Sequence, residues 1–303
     1  MSRRALLLFA IVGVLWGIPY FFIALAGREF STPSIVWLRV AVGALFLLPL
    51  ALKRGVLRDT IRHWPWVLFF AVVEMVGPWY FITEAERSVP SSLVGLMMTT
   101  IPFMSAFITG VFLGDKAAGH PLTVAGLVIG FTGVIFLLGI DAFTGHLEIG
   151  PTLLLVVTAI CYAVAPIVLN RKLPAASTLG VTAVSMAMVA VIYTPFVIVT
   201  LPADIANGPS PTAWTSIVVL GVFSSALAFV FYFALIREVG PRRSSLITYI
   251  NLVVSAFLGV VLLSEPITPG VIIGLPLIVA GSYLAGKHRE AYVRKKDRTP
   301  SLA

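Results

Sequence analysis

Ten apolar stretches, each about as long as a bilayer is thick, run through this chain with only short polar links between them. They cover residues 5–26, 33–51, 64–83, 92–113, 122–140, 151–169, 180–201, 214–235, 246–263 and 271–285. A helix rises 1.5 Å per residue, so roughly 20 apolar residues cross ~30 Å of hydrocarbon. Lipid offers no water to backbone N–H and C=O groups, which must pair inside the segment. Each stretch is therefore expected to be a helix, and the fold class is all-α, integral to the membrane. Composition agrees: 59% of the 303 residues are hydrophobic and 11% charged, against about 25% charged in a soluble domain. Such a chain cannot clothe itself in a solvated surface.

The start, Met1-Ser2-Arg3-Arg4 before an apolar run, has the outline of a signal peptide. The run over 5–26 is too long for an h-region of about 7–15 residues, so an uncleaved first helix is expected. Orientation follows from Lys and Arg. With the N-terminus inside, 18 of the 21 basic residues fall in inner segments, Arg28 and Arg87 lie outside, and Arg39 sits within a span. Positive residues concentrate on the cytoplasmic side, so both termini are expected there, in a cell inner (plasma) membrane. The net charge of +8 thus reports orientation, and no nucleic-acid partner is implied. Cys161 is the single cysteine, which excludes an intrachain disulfide.

The chain also repeats itself. At a constant shift of 146 positions, Ser31 falls on Ser177, Thr32 on Thr178, Ala41 on Ala187, Ala44 on Ala190 and Pro49 on Pro195. SAFITGVFLGD, from Ser105, resembles SAFLGVVLLSE, from Ser255. Internal repetition decides the fold before other features do. The expected organisation is a first repeat over 1–145, a second over 146–287 and a basic cytoplasmic tail over 288–303 that could also attract anionic lipid. Five spans per repeat is an odd number, so the second copy must enter from the opposite face. Inverted repeats of this kind are typical of secondary transporters, which hold substrate near mid-membrane between the halves.

Few residues could carry chemistry. Arg39, whose counterpart in the second repeat is Ser185, lies roughly 9 Å below the outer face, and Glu74 roughly 13 Å below it. A charge at helix centre costs about 2.5–3.5 kcal/mol on insertion scales. The two are close enough to form an ion pair, to serve substrate or gating, or to face separate partners, and Glu74 could also carry a proton. Aromatic and hydroxyl residues stand among helix breakers: Trp16 and Tyr20 near Pro19, Tyr80 after Pro78, Met98 and Thr99 before Pro102, then Tyr162, Tyr249 and Asn251. Proline frees a backbone carbonyl, which lipid tolerates only where protein or a wet cavity receives it. These residues are expected to line a substrate cavity, with Arg39 and Pro102 in structural or gating roles. Trp64, Trp66 and Trp214 sit at span ends, where tryptophan anchors to the interface. Gly126-x3-Gly130 and Gly270-x3-Gly274 allow close helix approach, as ordinary packing or as a dimer face, so monomer and homodimer both stay open.

Other chemistry is missing. His63, His120, His146 and His288 all lie in loops or the tail, and no GxxxxGK[ST] or HExxH string occurs. No catalytic residue, cofactor or metal is expected, and the chain does not read as an enzyme.

The string LWGIPYFFIALAGREFSTPSIVWLRVAVGALFLLP resembles the first repeat of the drug/metabolite transporter superfamily, EamA type. Its Trp-Gly and its second-span Arg match Trp16-Gly17 and Arg39. ERSVPSSLVGLMMTTIPFMSAFITGVFLGDK is similar to that family's fourth span, with Pro102 at the family proline and Asp115 where Glu is usual. SAFLGVVLLSEPITPGVIIGLPLIVAGSYL is similar to the ninth and tenth, with Glu265 at the acidic position. Where many relatives carry proline in the ninth span, this chain has Leu252 beside Asn251, which makes Asn251 a candidate polar contact. The resemblance implies a ten-helix exporter of small metabolites with a cavity between its repeats, most similar to the aromatic and broad-range amino-acid exporters. Lipophilic cations are the rival substrate class, since Glu74 stands among aromatics. A membrane sensor or scaffold is the rival of a different kind.

Overall fold

The computed structural model describes residues 2–114, 120–143, 148–244 and 247–298, and its regular structure there is entirely helical. Asp115 and Lys116 lie outside the described residues.

The first rod is α1 (Arg3–Gly17) continued by α2 (Pro19–Ala26). The Ser2 hydroxyl accepts the Ala5 N–H at 3.0 Å and caps it. Pro19 stands at the first position of α2, where its missing N–H costs least. Next come α3 (Thr32–Lys53) and a short α4 (Leu57–Arg62). The third rod is compound: α5 (Trp64–Ala71), a π-helical turn at Val72–Val76, then α6 (Gly77–Ala85). The fourth breaks at Thr99-Thr100, between α7 (Ser91–Met98) and α8 (Ile101–Leu113). α9 (Pro121–Phe143) ends the first half. The second half runs α10 (Ile149–Lys172), α11 (Thr178–Ala206), α12 (Pro211–Val218), a π-helical stretch at Val219–Leu227, α13 (Ala228–Ser244), α14 (Ile247–Leu262) and α15 (Pro269–Arg298).

Seven of these rods are long and apolar enough to cross a membrane, where the apolar pattern led one to expect ten. The other three expected spans, 122–140, 246–263 and 271–285, coincide with shorter apolar helices at Pro121–Phe136, Ile250–Leu262 and Pro269–Gly281 among the described residues. Large apolar side chains point outward along the rods: Leu45 and Val191 are each 72% exposed and Val199 is 73% exposed. A surface of that kind is unstable in water but solvated by acyl chains.

Packing comes in exchanged pairs. α1 lies on α13 and α14, while α10 lies on α6, α7 and α8; α3 meets the second π stretch, while α11 meets α5 and the first π turn. α3 also packs on α11, α7 on α14 and α9 on α15, each a first-half helix against its counterpart in the second. The π turn has a local cause. Pro78 lacks the N–H that an α-helix would give to the preceding turn, and its ring crowds that turn's carbonyl. One nearby carbonyl is served from the other half: the Tyr193 hydroxyl of α11 donates to Val76 O at 2.7 Å. Tyr193→Phe is expected to lower stability by about 1–2 kcal/mol, read as a fall in thermal unfolding midpoint in detergent. An unchanged midpoint would mean that this carbonyl finds another donor.

The glycine motifs meet within the chain. α9 and α15 cross so closely that Gly126 and Gly130 abut Gly281, and Gly133 abuts Gly274. At one end of the bundle, polar groups tie the halves together. The Ser31 N–H and hydroxyl donate to Asp204 Oδ2 at 3.1 and 2.7 Å, and the Ser210 N–H and hydroxyl donate to Glu29. At the same end, the Ser91 and Ser92 N–H groups donate to Glu265 at 2.7 and 2.9 Å. Glu265 thus caps α7 from the other half, its charge matched to the positive end of that helix.

Candidate functional site

Arg39 sits in mid-helix on α3 and is 9% exposed. Its Nε donates to Ser225 Oγ at 2.8 Å, and its guanidinium carbon lies 3.9 Å from the centroid of the Trp79 ring. A guanidinium is planar and weakly hydrated, so it can stack on an aromatic face while donating in its own plane. Trp79 belongs to α6, just past the π turn and Pro78. Ser225 lies within the second π stretch, in the other half. Arg39 therefore bridges the halves. Ser185, its repeat counterpart, bridges them in the reverse sense, its hydroxyl 3.5 Å from Val67 O of α5.

Around Arg39 stand Tyr162, Tyr20 and Glu86 as electrostatic neighbours. Tyr162, on α10, packs against two apolar clusters that each draw on both halves, with Glu74, Tyr20 and Arg39 as electrostatic neighbours and Trp79 as a hydrogen-bond partner. Glu74 lies in the first π turn, and its Oε2 is buried with no hydrogen-bond partner. Its neighbours are Cys161 and Tyr162. Arg39 and Glu74 form no ion pair, since the guanidinium is engaged by Trp79 and Ser225 while Glu74 faces α10. A cluster of two carboxyls, one guanidinium and three aromatic rings thus occupies the interface between the halves. It can stack on the apolar part of a solute and meet a charge of either sign.

The other sequence candidates lie as follows. Trp16 packs tilted on Tyr232 and edge-on to Phe229 of α13, ring centroids 4.6 and 5.3 Å away. Pro78 is buried behind the π turn, and Tyr80 packs half-buried against the apolar cluster that includes Trp79 and Tyr193. Met98 and Thr99 are buried at the break in the fourth rod, where the Thr99 and Thr100 hydroxyls donate to Leu96 O and Met97 O, each at 2.7 Å. The same carbonyls also accept the Thr99 and Thr100 N–H groups at 3.0 and 3.1 Å, so each hydroxyl is a second, local donor at the break. Oriented by its hydrogen bonds, the Asn251 amide donates to Ile247 O at 3.0 Å and Gly13 O at 2.8 Å, which ties α14 to α1. Pro102 and Tyr249 lie on α8 and α14; their side chains are outside the described ones. The structure therefore brings together Tyr20, Glu74, Tyr162 and Arg39, and places Trp16, Met98, Thr99 and Asn251 at helix contacts. Trp79, Ser225 and Glu86 join the cluster without having been singled out by sequence. Ser225 carries no sequence signal, and Glu86 stands beside Arg87 in what reads as a polar link.

A polytopic helical membrane protein with charged and aromatic groups buried between two half-bundles has the build of a transporter. The chain belongs to the EamA-like transporter family, whose model matches it twice, over residues 3–139 and 150–286. It is similar to the uncharacterized transporter YvbV of Bacillus subtilis, 22% identical over 291 residues that span 96% of this chain and 94% of that one. It is also similar to the uncharacterized inner membrane transporter YedA of Escherichia coli K12, 26% identical over 282 residues, 89% of each chain. A crystal structure of a protein 21% identical superposes over 99% of this chain and 100% of its own with a TM-score of 0.65, and so shares the fold. Membership of a transporter family points to small-molecule substrates.

Proposed function

We propose that the protein exports small amphipathic metabolites, amino acids foremost, from the cytoplasm across an inner membrane. Its ten spans form two oppositely inserted five-helix halves, with both termini cytoplasmic. One repeat rocks against the other, so that the central site opens to each side in turn. The observation that carries the reading is the buried cluster of Arg39, Tyr20, Trp79, Tyr162 and Glu74 at the interface of the halves. Aromatic rings suit the apolar part of such a solute, and the hydroxyl and charged groups suit its polar ends. The location is supported by the name of the relative YedA.

The test is uptake into liposomes holding the purified protein, over a panel of amino acids, with and without a pH gradient. Saturable uptake of at least one amino acid is expected. Rates indifferent to the gradient would remove proton exchange through Glu74. Tyr162→Phe keeps the ring and deletes the hydroxyl, so transport is expected to fall up to about tenfold with folding intact. A second reading rests on the unpartnered Glu74 carboxyl among aromatics, which suits lipophilic cations. Uptake of such cations, with none of any amino acid, would favour it. No transport of either class would point to a sensor or scaffold.

A further inference from the structure

Three helix starts at one end of the bundle are closed by acids from the opposite half. Asp204 of α11 takes the Ser31 N–H and hydroxyl at the start of α3. Glu29, between α2 and α3, takes the Ser210 N–H and hydroxyl at the start of α12. Glu265, beyond α14, takes the Ser91 and Ser92 N–H groups at the start of α7. A helix N-terminus carries partial positive charge, so an anion there is held by that field as well as by its hydrogen bonds. Beside these ties Phe30 meets Trp214 edge-on, ring centroids 5.0 Å apart. In the orientation proposed above, this is the outer end.

The repeat supplies a comparison at the inner end. There the counterpart of α3 is α11, which starts at Ser177, the residue that falls on Ser31 at the shift of 146. α4 packs on that helix, with Thr60 close against Gly180. Ser177 caps only its own helix, accepting the Gly180 N–H at 3.4 Å. The residue that falls on Glu29 is Ala175. On Asp204 falls Arg58, or Arg54 at the shift of 150 that relates Ser105 to Ser255. A cation near a helix start is unfavourable. Among the described residues one acid ties the halves at this end: Glu238, which takes the Ser2 hydroxyl and pairs with Arg4 at 3.4 Å. Lys172 adds a contact 4.8 Å from the Trp66 ring centroid. The inner closure is the weaker one.

We propose that Glu29, Asp204 and Glu265 form a latch that keeps the outer end shut in the resting protein. The central site is then loaded from the inside, and it opens outward only when the latch breaks. The inference rests on the rocking of two halves proposed above and adds a direction to it. The two states differ in which end is closed, and the end with the stronger closing contacts sets their populations. A resting preference of this sense suits export, because solute meets the more readily opened side first.

The experiment is hydrogen exchange of the full-length protein in nanodiscs, read by mass spectrometry with no solute present. Glu29→Gln combined with Asp204→Asn removes two of the three charges. Exchange is expected to rise about tenfold or more in the links 27–31 and 204–210. It should rise likewise in 19–26 and 219–227, which meet further in between the halves. The inner segments 57–62 and 178–183 should not rise. A rise confined to the two links, an equal rise at both ends, or no rise at all overturns the latch. A second variant guards against misfolding: Glu29→Cys with Ser210→Cys in a Cys161→Ser background, bridged by a short bifunctional methanethiosulfonate. The bridge should return exchange in 19–26 and 219–227 to the native level or below, and reductant should raise it again. Bridged protein that exchanges as fast as the unbridged form also overturns the latch. Liposomes that take up no amino acid would refute the proposed solute and leave these readings as they stand.

Discussion

Gly281→Val is expected to force α9 and α15 apart and to lower the thermal unfolding midpoint by on the order of 10 °C. A Cβ at Gly281 would stand 2.4 Å from Gly130 N, 2.5 Å from Gly130 Cα and 2.6 Å from Gly126 O. All three are backbone atoms of the facing helix, and no side-chain rotation can clear them. Overpacking against adaptable side chains costs about 1–3 kcal/mol. Here a whole helix must shift, which puts the cost at the upper end of that range or above it. Each kcal/mol is worth about 2–4 °C in a domain of about 150–250 residues, and the lower end applies to this chain of 303. Gly150 supplies the control, because nothing lies within 4 Å of a Cβ there. Valine at Gly150 should leave the midpoint nearly unchanged, and equal shifts at both sites would contradict the α9–α15 contact described above.

Arg39→Lys should leave the protein inserted and purifiable while slowing transport by about tenfold or more. Lysine keeps the charge but offers a compact ammonium, without a plane to stack on Trp79 or an Nε to meet Ser225. A desolvated cation–π contact is worth about 2 kcal/mol, and a hydrogen bond from a charged donor about 1.5–3 kcal/mol. Either loss exceeds the ~1.4 kcal/mol that makes a factor of ten. Ser225→Ala isolates the hydrogen bond. By itself it should slow transport less than Arg39→Lys does, and combined with Arg39→Lys it should add little, since the two remove the same bond. Full additivity of the two effects, or a wild-type rate in Arg39→Lys, would separate this bridge from transport.

How much was legible in advance differs by residue. Arg39 and Glu74 stand out because a charge in an apolar run has few innocent explanations. Their partners did not stand out. Trp79 and Ser225 reach Arg39 only because α3 packs at once on the third rod of its own half and on the second π stretch of the other. Asn251 reads as a polar contact and is one, but to Gly13 O of a neighbouring helix. Glu86 sits beside Arg87 as though in an ordinary surface link; folding commits Arg87 to Glu84 and to two carbonyls, and leaves Glu86 without a donor.

By itself the sequence determined a helical, multi-pass membrane protein of the EamA-like transporter family. Those conclusions rest on local facts: run lengths, the backbone's need to pair within lipid, and the order of short motifs. Tertiary structure alone decided which buried group faces which. A partner on another rod depends on the rotation and depth of both rods, and the π turns at Val72–Val76 and Val219–Leu227 alter that rotation part-way along two of them. Pro78 marks the first of these turns locally, but no proline marks the second, and neither turn says which groups its rotation will bring together until the helices pack.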